Sequence, residues 1–131
     1  MLDHLRQHVI DLLQSAETVT LSTHGPAGIQ AQVLPCEACG MRFFLLAPTT
    51  SELLYNLEHQ PAAVVTSAAW QLHGRAHTLS PEAVPPELAL GHSPRTPGCV
   101  ILEVEGQRLQ VGPSNGWGFS ETIDLSDPQI V

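Results

Sequence analysis

Apolar residues recur along this chain at two different periods. Leu2, Leu5, Val9, Leu12, Leu13 and Ala16 are spaced three or four apart, which puts them on one face of an amphipathic helix over residues 2–16. From Thr18 the period drops to two. In TVTLST (18–23) Val19 and Leu21 share one face, and in IQAQV (29–33) Ile29, Ala31 and Val33 face away from Gln30 and Gln32. HGPAG (24–28) is turn chemistry between these strands, and the turn PCEACG (35–40) leads into MRFFLL (41–46), rich in strand formers. A second helix is predicted over 51–59, with Leu53, Leu54 and Leu57 as its buried side. PAAVVTS (61–67) and WQLHGRAHTL (70–79) follow as strands joined by a tight turn. Five prolines in residues 80–98 predict a long connection with one short helical turn at 86–90. CVILEVEGQRLQV (99–111) alternates as a long last strand, and the tail after it is polar apart from Trp117 and Phe119. Six antiparallel strands with mostly hairpin-short links, plus two or three flanking helices, predict a mainly β fold. The architecture expected is a small closed or split barrel over 1–111, with residues 112–131 packing on the barrel or on a partner subunit.

The length of 131 residues fits one domain that buries a core without metal or disulfide support. Charge narrows the function classes. The five basic residues are all arginine (Arg6, Arg42, Arg75, Arg95, Arg108), against thirteen acids, for a net charge of −8. So few cations exclude extensive phosphate neutralisation, so no nucleic-acid partner and no anionic membrane surface is expected. Three cysteines, an odd number, argue against a secreted disulfide framework. The first residues carry acids at a helical period rather than the basic start and apolar centre of a signal peptide, and a cytoplasmic location is expected.

Candidate chemistry is sparse. Thr49, Thr50 and Ser51 open the second helix, where hydroxyls and free N–H groups can seat a phosphate. Thr49 and Glu52 also have the spacing of a capping box, so seat and cap stay open together. His73, Arg75 and His77 share one strand face and form a row of cationic side chains, either a site or a solvated face. Cys36 and Cys39 have knuckle spacing, but a structural zinc needs four ligands and a redox dithiol opens a helix, so two free thiols at a hairpin tip are expected and no metal site. His4 and His8, one turn apart, read as an exposed helix face. Trp70 is expected in the core or a dimer interface, and Trp117 against a ligand ring or a partner subunit. No catalytic residue can be named, since no Ser-His-Asp arrangement is legible.

Three stretches together resemble the flavin-binding split barrels related to pyridoxamine 5'-phosphate oxidase. AETVTLSTHGPAGIQAQVLP is similar to the family's first hairpin. MRFFLLAPTTSELLYNLEHQPAAVVTS is similar to its third strand, Ser-initiated helix, Asn-Leu-x-x-x-Pro segment and fourth strand, and LHGRAHTL to its x-Gly-x-Ala strand. The resemblance covers residues 5–79, with 99–111 as the closing strand. It implies a homodimer with flavin mononucleotide (FMN) in a groove between subunits, and a flavin-dependent oxidoreductase of unknown substrate. The cofactor contacts it implies fall on Gln30, Gln32 and Val33 of the second strand and on Thr49, Thr50 and Ser51; the residue reading adds Arg75, as the permanent charge of the cationic row, and Trp117, as a ring to stack on the ligand. Where the family carries basic residues, this chain has Gln30 or Gln32 and then Glu52 and Leu53. Two missing charge-assisted hydrogen bonds cost about 3–6 kcal/mol, or about two to four decades in affinity. The alternative is a split-barrel dimer without cofactor that acts as a binding or interaction module.

Overall fold

The structure, a computed structural model, describes residues 2–92, 97–112, 118 and 120–127. The 3.6-residue period becomes α1 (Leu2–Gln14), and the alternating segments become β1 (Thr18–Gly25), β2 (Gly28–Cys39) and β3 (Arg42–Pro48). After α2 (Glu52–His59) come β4 (Ala62–Thr66), β5 (Trp70–Thr78), β6 (Cys99–Val111) and β7 (Glu121–Asp124). Every pairing is antiparallel, in the order β3-β2-β1-β4-β5-β6-β7, and β3 also pairs with β6. That last ladder closes six strands into a barrel, which removes the exposed edges a flat sheet would keep.

β6 serves two neighbours along one edge. Its first half, Cys99–Val104, pairs with β3, and Arg108–Val111 pairs with β7. The barrel interior is filled by alternating residues such as Leu21, Leu34, Phe43, Leu45, Val65, Leu72, Leu102 and Leu109, each nearly or fully inaccessible. Val9 and Leu13 of α1 join this core, and the Trp70 indole N–H donates to the Leu12 carbonyl at 2.8 Å while its ring meets Phe43 edge to face at 5.6 Å. β3 is buried on both faces. Phe43, Leu45 and Ala47 enter the barrel, and Phe44 and Leu46 form a second cluster with Leu88 and Ile101 beneath the proline-rich connection. A continuous apolar run is what such a strand requires.

Two details position the functional surface. Between β5 and β6 the register shifts: His73 faces Arg108, Gly74 faces Gly106, and Gln107 has no partner in the ladder. This bulge reverses the alternation, so that Leu109 points inward and Arg108 outward. Gly74 allows the close approach, because a Cβ there would collide with the Glu105 carbonyl. At the other end of the barrel Asn56 of α2 is fully buried. Its amide nitrogen donates to Thr23 Oγ1 and to the Gly28 carbonyl, and its oxygen accepts from Ala27 N, tying the β1–β2 hairpin to α2.

Several boundaries differ from expectation. The segment read as a turn at 35–40 is mostly strand, since β2 continues to Cys39 and the hairpin needs only Gly40, at φ 60°, and Met41. The helical turn expected at 86–90 is displaced. Short 3₁₀ turns form at Pro81–Ala83 and Ala89–His92, because the residue before a proline resists helical geometry and Pro85 precedes Pro86. The polar tail contains β7, whose Ile123 is buried in the main core, followed by buried Leu125. No helix among the described residues is long and apolar enough to cross a membrane.

Replacing Asn56 with Leu removes three hydrogen bonds, to the buried Thr23 hydroxyl and to the part-buried Ala27 N and Gly28 carbonyl. The variant is expected to lose about 2–4 kcal/mol, read from urea unfolding midpoints. The Arg42 guanidinium makes two hydrogen bonds to Glu103, at 2.8 and 2.9 Å, and holds that carboxyl below its ordinary value of 4.5. The stabilisation is complete above that value and is lost as pH falls through the lower folded one. Arg42→Ala should therefore cost only about 0.2–1 kcal/mol at neutral pH, and the difference from wild type should vanish in acid unfolding series.

Candidate functional site

Strands β2, β1, β4, β5 and β6 present one continuous outer face. Pairing register lays it out in rows: Val33, Thr20, Thr66, Gln71 and Gln110 in one, and Ala31, Ser22, Val64, His73 and Arg108 in the next. A groove of about 450 Å3 crosses this face, with Ser22, His24, Ile29, Ala62, Val64 and His73 in its walls. One side is apolar and open, with Ile29 80% exposed and Val33 64% exposed. Large apolar side chains so exposed on neighbouring outward positions of one strand are uncommon on a monomer surface.

The other side is basic, and the bulge at Gln107 makes it so. Arg108 Nη2 lies 3.3 Å from His73 Nδ1, and His73 Nε2 lies 3.0 Å from Gln71 Oε1 and 2.8 Å from Gln110 Oε1. This pattern suits an imidazole with its proton on Nε2, shared between two amide oxygens, and Nδ1 accepting from the guanidinium. Arg75 and His77 lie further along the same face of β5, as the alternation predicts. Acids stand opposite in register: Glu105 faces Arg75, Glu103 faces His77 and Asp124 faces Arg108. Three carboxylates thus face two arginines and the histidines along this strip, and the Ser126 hydroxyl and amide hold the Asp124 carboxyl below its ordinary value.

The start of α2 is built differently. Ser51 is the N-cap: its Oγ accepts from Leu53 N at 3.2 Å and donates to Gln32 Oε1 at 2.9 Å. The capping box expected between Thr49 and Glu52 does not form, because Thr49 Oγ1 donates to the Gly98 carbonyl at 3.1 Å one residue-pair ahead of the cap. Thr50 is exposed, and Gln30 Nε2 donates to the Ala27 carbonyl at 3.0 Å. Gln32 and Ser51 thus meet directly. Val33 and Arg75 belong to the outer face, and Trp117 lies outside the described residues. Glu52 occupies the first turn of α2, while Arg6 is on α1, Arg42 binds Glu103, and Arg75 and Arg108 are on the outer face. Among the described residues this donor set does not fit a dianionic phosphate at the α2 start: the Ser51 hydroxyl is committed twice and the nearest charge in sequence is negative.

The cysteines also separate. Cys36 is buried on the inner face of β2, its thiol donating to the Ala16 carbonyl at 3.3 Å; burial, with Glu17, pushes it up to about 11. Cys39, three residues on, turns to the second cluster, so the pair does not share a hairpin tip as expected. Among the described residues no group of three or more His, Cys, Asp or Glu is arranged to hold a metal ion. His8 of α1 reaches Glu121 of β7 at 3.5 Å across the surface. Arg108 went unremarked as a site residue in the sequence. An isolated glycine in a strand signals a bulge, and Gly106 supplied that sign two positions earlier.

No protein-family model matches the chain, and no curated protein matches it. Solved structures do. A Clostridium acetobutylicum protein related to general stress protein 26 of B. subtilis, of the pyridoxinephosphate oxidase family, superposes with TM-score 0.68 at 14% identity, covering 98% of this chain and 99% of that one. General stress protein 26 from Bacillus anthracis gives TM-score 0.64 at 14% identity, over 93% of this chain and 99% of that one. A heme binding protein from Mycobacterium smegmatis gives TM-score 0.63 at 19% identity, over 88% of this chain and 57% of that one. At these identities the likeness concerns architecture, and on that basis the chain has the split-barrel fold of the pyridoxamine 5'-phosphate oxidase-like proteins.

Proposed function

We propose that two copies of this chain pack outer face to outer face and hold a planar heteroaromatic ligand with an acidic group in the groove between them. The observation that carries this reading is the composition of one surface: the exposed strip of Ile29, Ala31 and Val33 lies beside a groove whose far wall is His73 with Arg108 against it. An apolar floor with a few placed polar groups is the ordinary makeup of a small-molecule site. FMN is the first candidate. Its acidic group would be met by His73, Arg75 and Arg108, since the α2 start does not suit it. A bound flavin supplies hydride chemistry, and the protein would then be an oxidoreductase for a substrate that the groove admits.

A second reading is haem. His24 lines the groove, neutral imidazole is a common iron ligand, and one of the structures sharing this fold is described as heme binding. A protein without cofactor, acting as an interaction module, is the remaining alternative, and it is what a colourless preparation inert to both ligands would indicate.

Absorbance of the purified protein, followed by titration with FMN and with haem, separates these readings. Where FMN binds, Arg108→Ala is expected to weaken it about tenfold or more, the loss of one charge-assisted contact. Arg75→Ala should have a smaller effect, because Glu105 opposes Arg75 in register. Glu52→Arg should leave affinity unchanged; tightening by Glu52→Arg with no effect of Arg108→Ala would return the phosphate to the α2 start. Light scattering on a sizing column should give twice the chain mass of 14.1 kDa, and Ile29→Lys combined with Val33→Lys should give the single chain mass. An unchanged mass in that variant would remove the face-to-face dimer.

A further inference from the structure

The proline-rich connection after β5 does more than close a gap. It lies over the outer face of β3 and β6, on the cluster of Phe44, Leu46 and Ile101, with Leu88 fully buried as its plug. Its internal turns are short: Ala83 N donates to the Ser80 carbonyl, Leu88 N to Pro85 and Gly91 N to Leu88. Its tie to the barrel is a carboxylate. Glu37 of β2 accepts from Ala89 N at 3.1 Å on one oxygen and from Leu90 N at 2.9 Å on the other. Prolines stiffen such a strap, so it can stand off the sheet without collapsing.

Beneath it is a cavity of about 420 Å3, walled by residues including Leu79, Val84, Pro85, Gly91, Cys99 and Ile101. It shares no lining residue with the groove on the other face. We propose that this cavity is a second binding site, for a small uncharged apolar molecule of one or two rings. Its volume lies within the range of small-molecule sites. Among the described lining residues none is Lys, Arg, Asp or Glu, so they offer a charged ligand no counter-ion. Water gains little there, because apolar walls offer it few partners, and displacing it with an apolar ring is favourable. The polar lining side chains are His92, whose Nε2 lies 3.1 Å from the Pro86 carbonyl, and the thiol of Cys99.

Cys99 provides the readout. N-phenyl-1-naphthylamine, a neutral two-ring fluorophore, is titrated into the full chain carrying Cys39→Ser, with Cys36 buried and unreactive. Saturable fluorescence is expected, and at ten times its Kd the probe should slow labelling of Cys99 by a thiol reagent about tenfold. Gly91→Leu should abolish both effects, since a side chain there projects between Val84 Cγ1 and Ile101 Cδ1 without a strained φ. Val84→Phe fills the same space from the strap and decides the matter should Gly91→Leu fail to fold. Absence of saturable binding, labelling of Cys99 at the same rate with and without probe, or undiminished binding in the folded filling variants overturns the proposal. Binding lost instead on substitution in the outer groove, as in Val64→Arg, overturns it equally and places the probe there.

Discussion

The ladder between β3 and β6 sets the rest of the molecule. Without it the sheet would be an open ribbon of strands with β3 as a free edge. With it, six strands form a ring, and the interior has room for side chains only. Closure also commits β3. A strand flanked on both edges and covered on both faces must be apolar throughout, and Phe43–Ala47 is. One half of its side chains fills the barrel, and the other half asks for a cover, which the connection after β5 supplies through Leu88 and the Glu37 carboxylate. The long excursion and the closed ring are thus one solution to the same burial problem.

On the opposite wall of the barrel, β2-β1-β4-β5, Ile29 and Val33 stay open among the described residues. There the outward positions of β2, β1 and β4 are mostly small, hydroxylic or apolar, and β5 and β6 add His73 with Arg108. The polar side of β2 is turned inward instead, with Gln30 and Gln32 satisfied near the α2 end by the Ala27 carbonyl and Ser51. A strand that hides its glutamines and shows its isoleucine and valine inverts the usual arrangement of a monomer surface. The inversion makes sense when the shown face meets other apolar matter.

Much of this was legible from residue patterns. The helical period of α1, the two-residue alternation of β1, β4 and β5, and the order of elements lead to the barrel. Each rests on local burial, which alternation reports directly. What escaped depends on contacts distant in sequence. β2 runs on through Cys39 because β3 pairs with it there, although Pro35 and Gly40 read as turn residues. β7 is a strand because β6 has edge to spare beyond β3, and ETID carries no strong strand signal of its own. The helix cap moved from Thr49 to Ser51 because Gly98, almost fifty residues away, captures the Thr49 hydroxyl. The grouping of site residues was only partly readable for the same reason. Gln32 and Ser51 meet, but Arg108 joins His73 through a bulge that alternation rules assume away.

That bulge makes β6 sensitive to length in a way unlike its neighbours. Gln107 lines the outer groove, and its presence as one extra link in the chain decides which way Arg108, Leu109 and Val111 look. Removing a single codon there would turn the leucine out to solvent and the guanidinium into the barrel. Along this stretch the number of residues, before their identity, sets which side chains face the core.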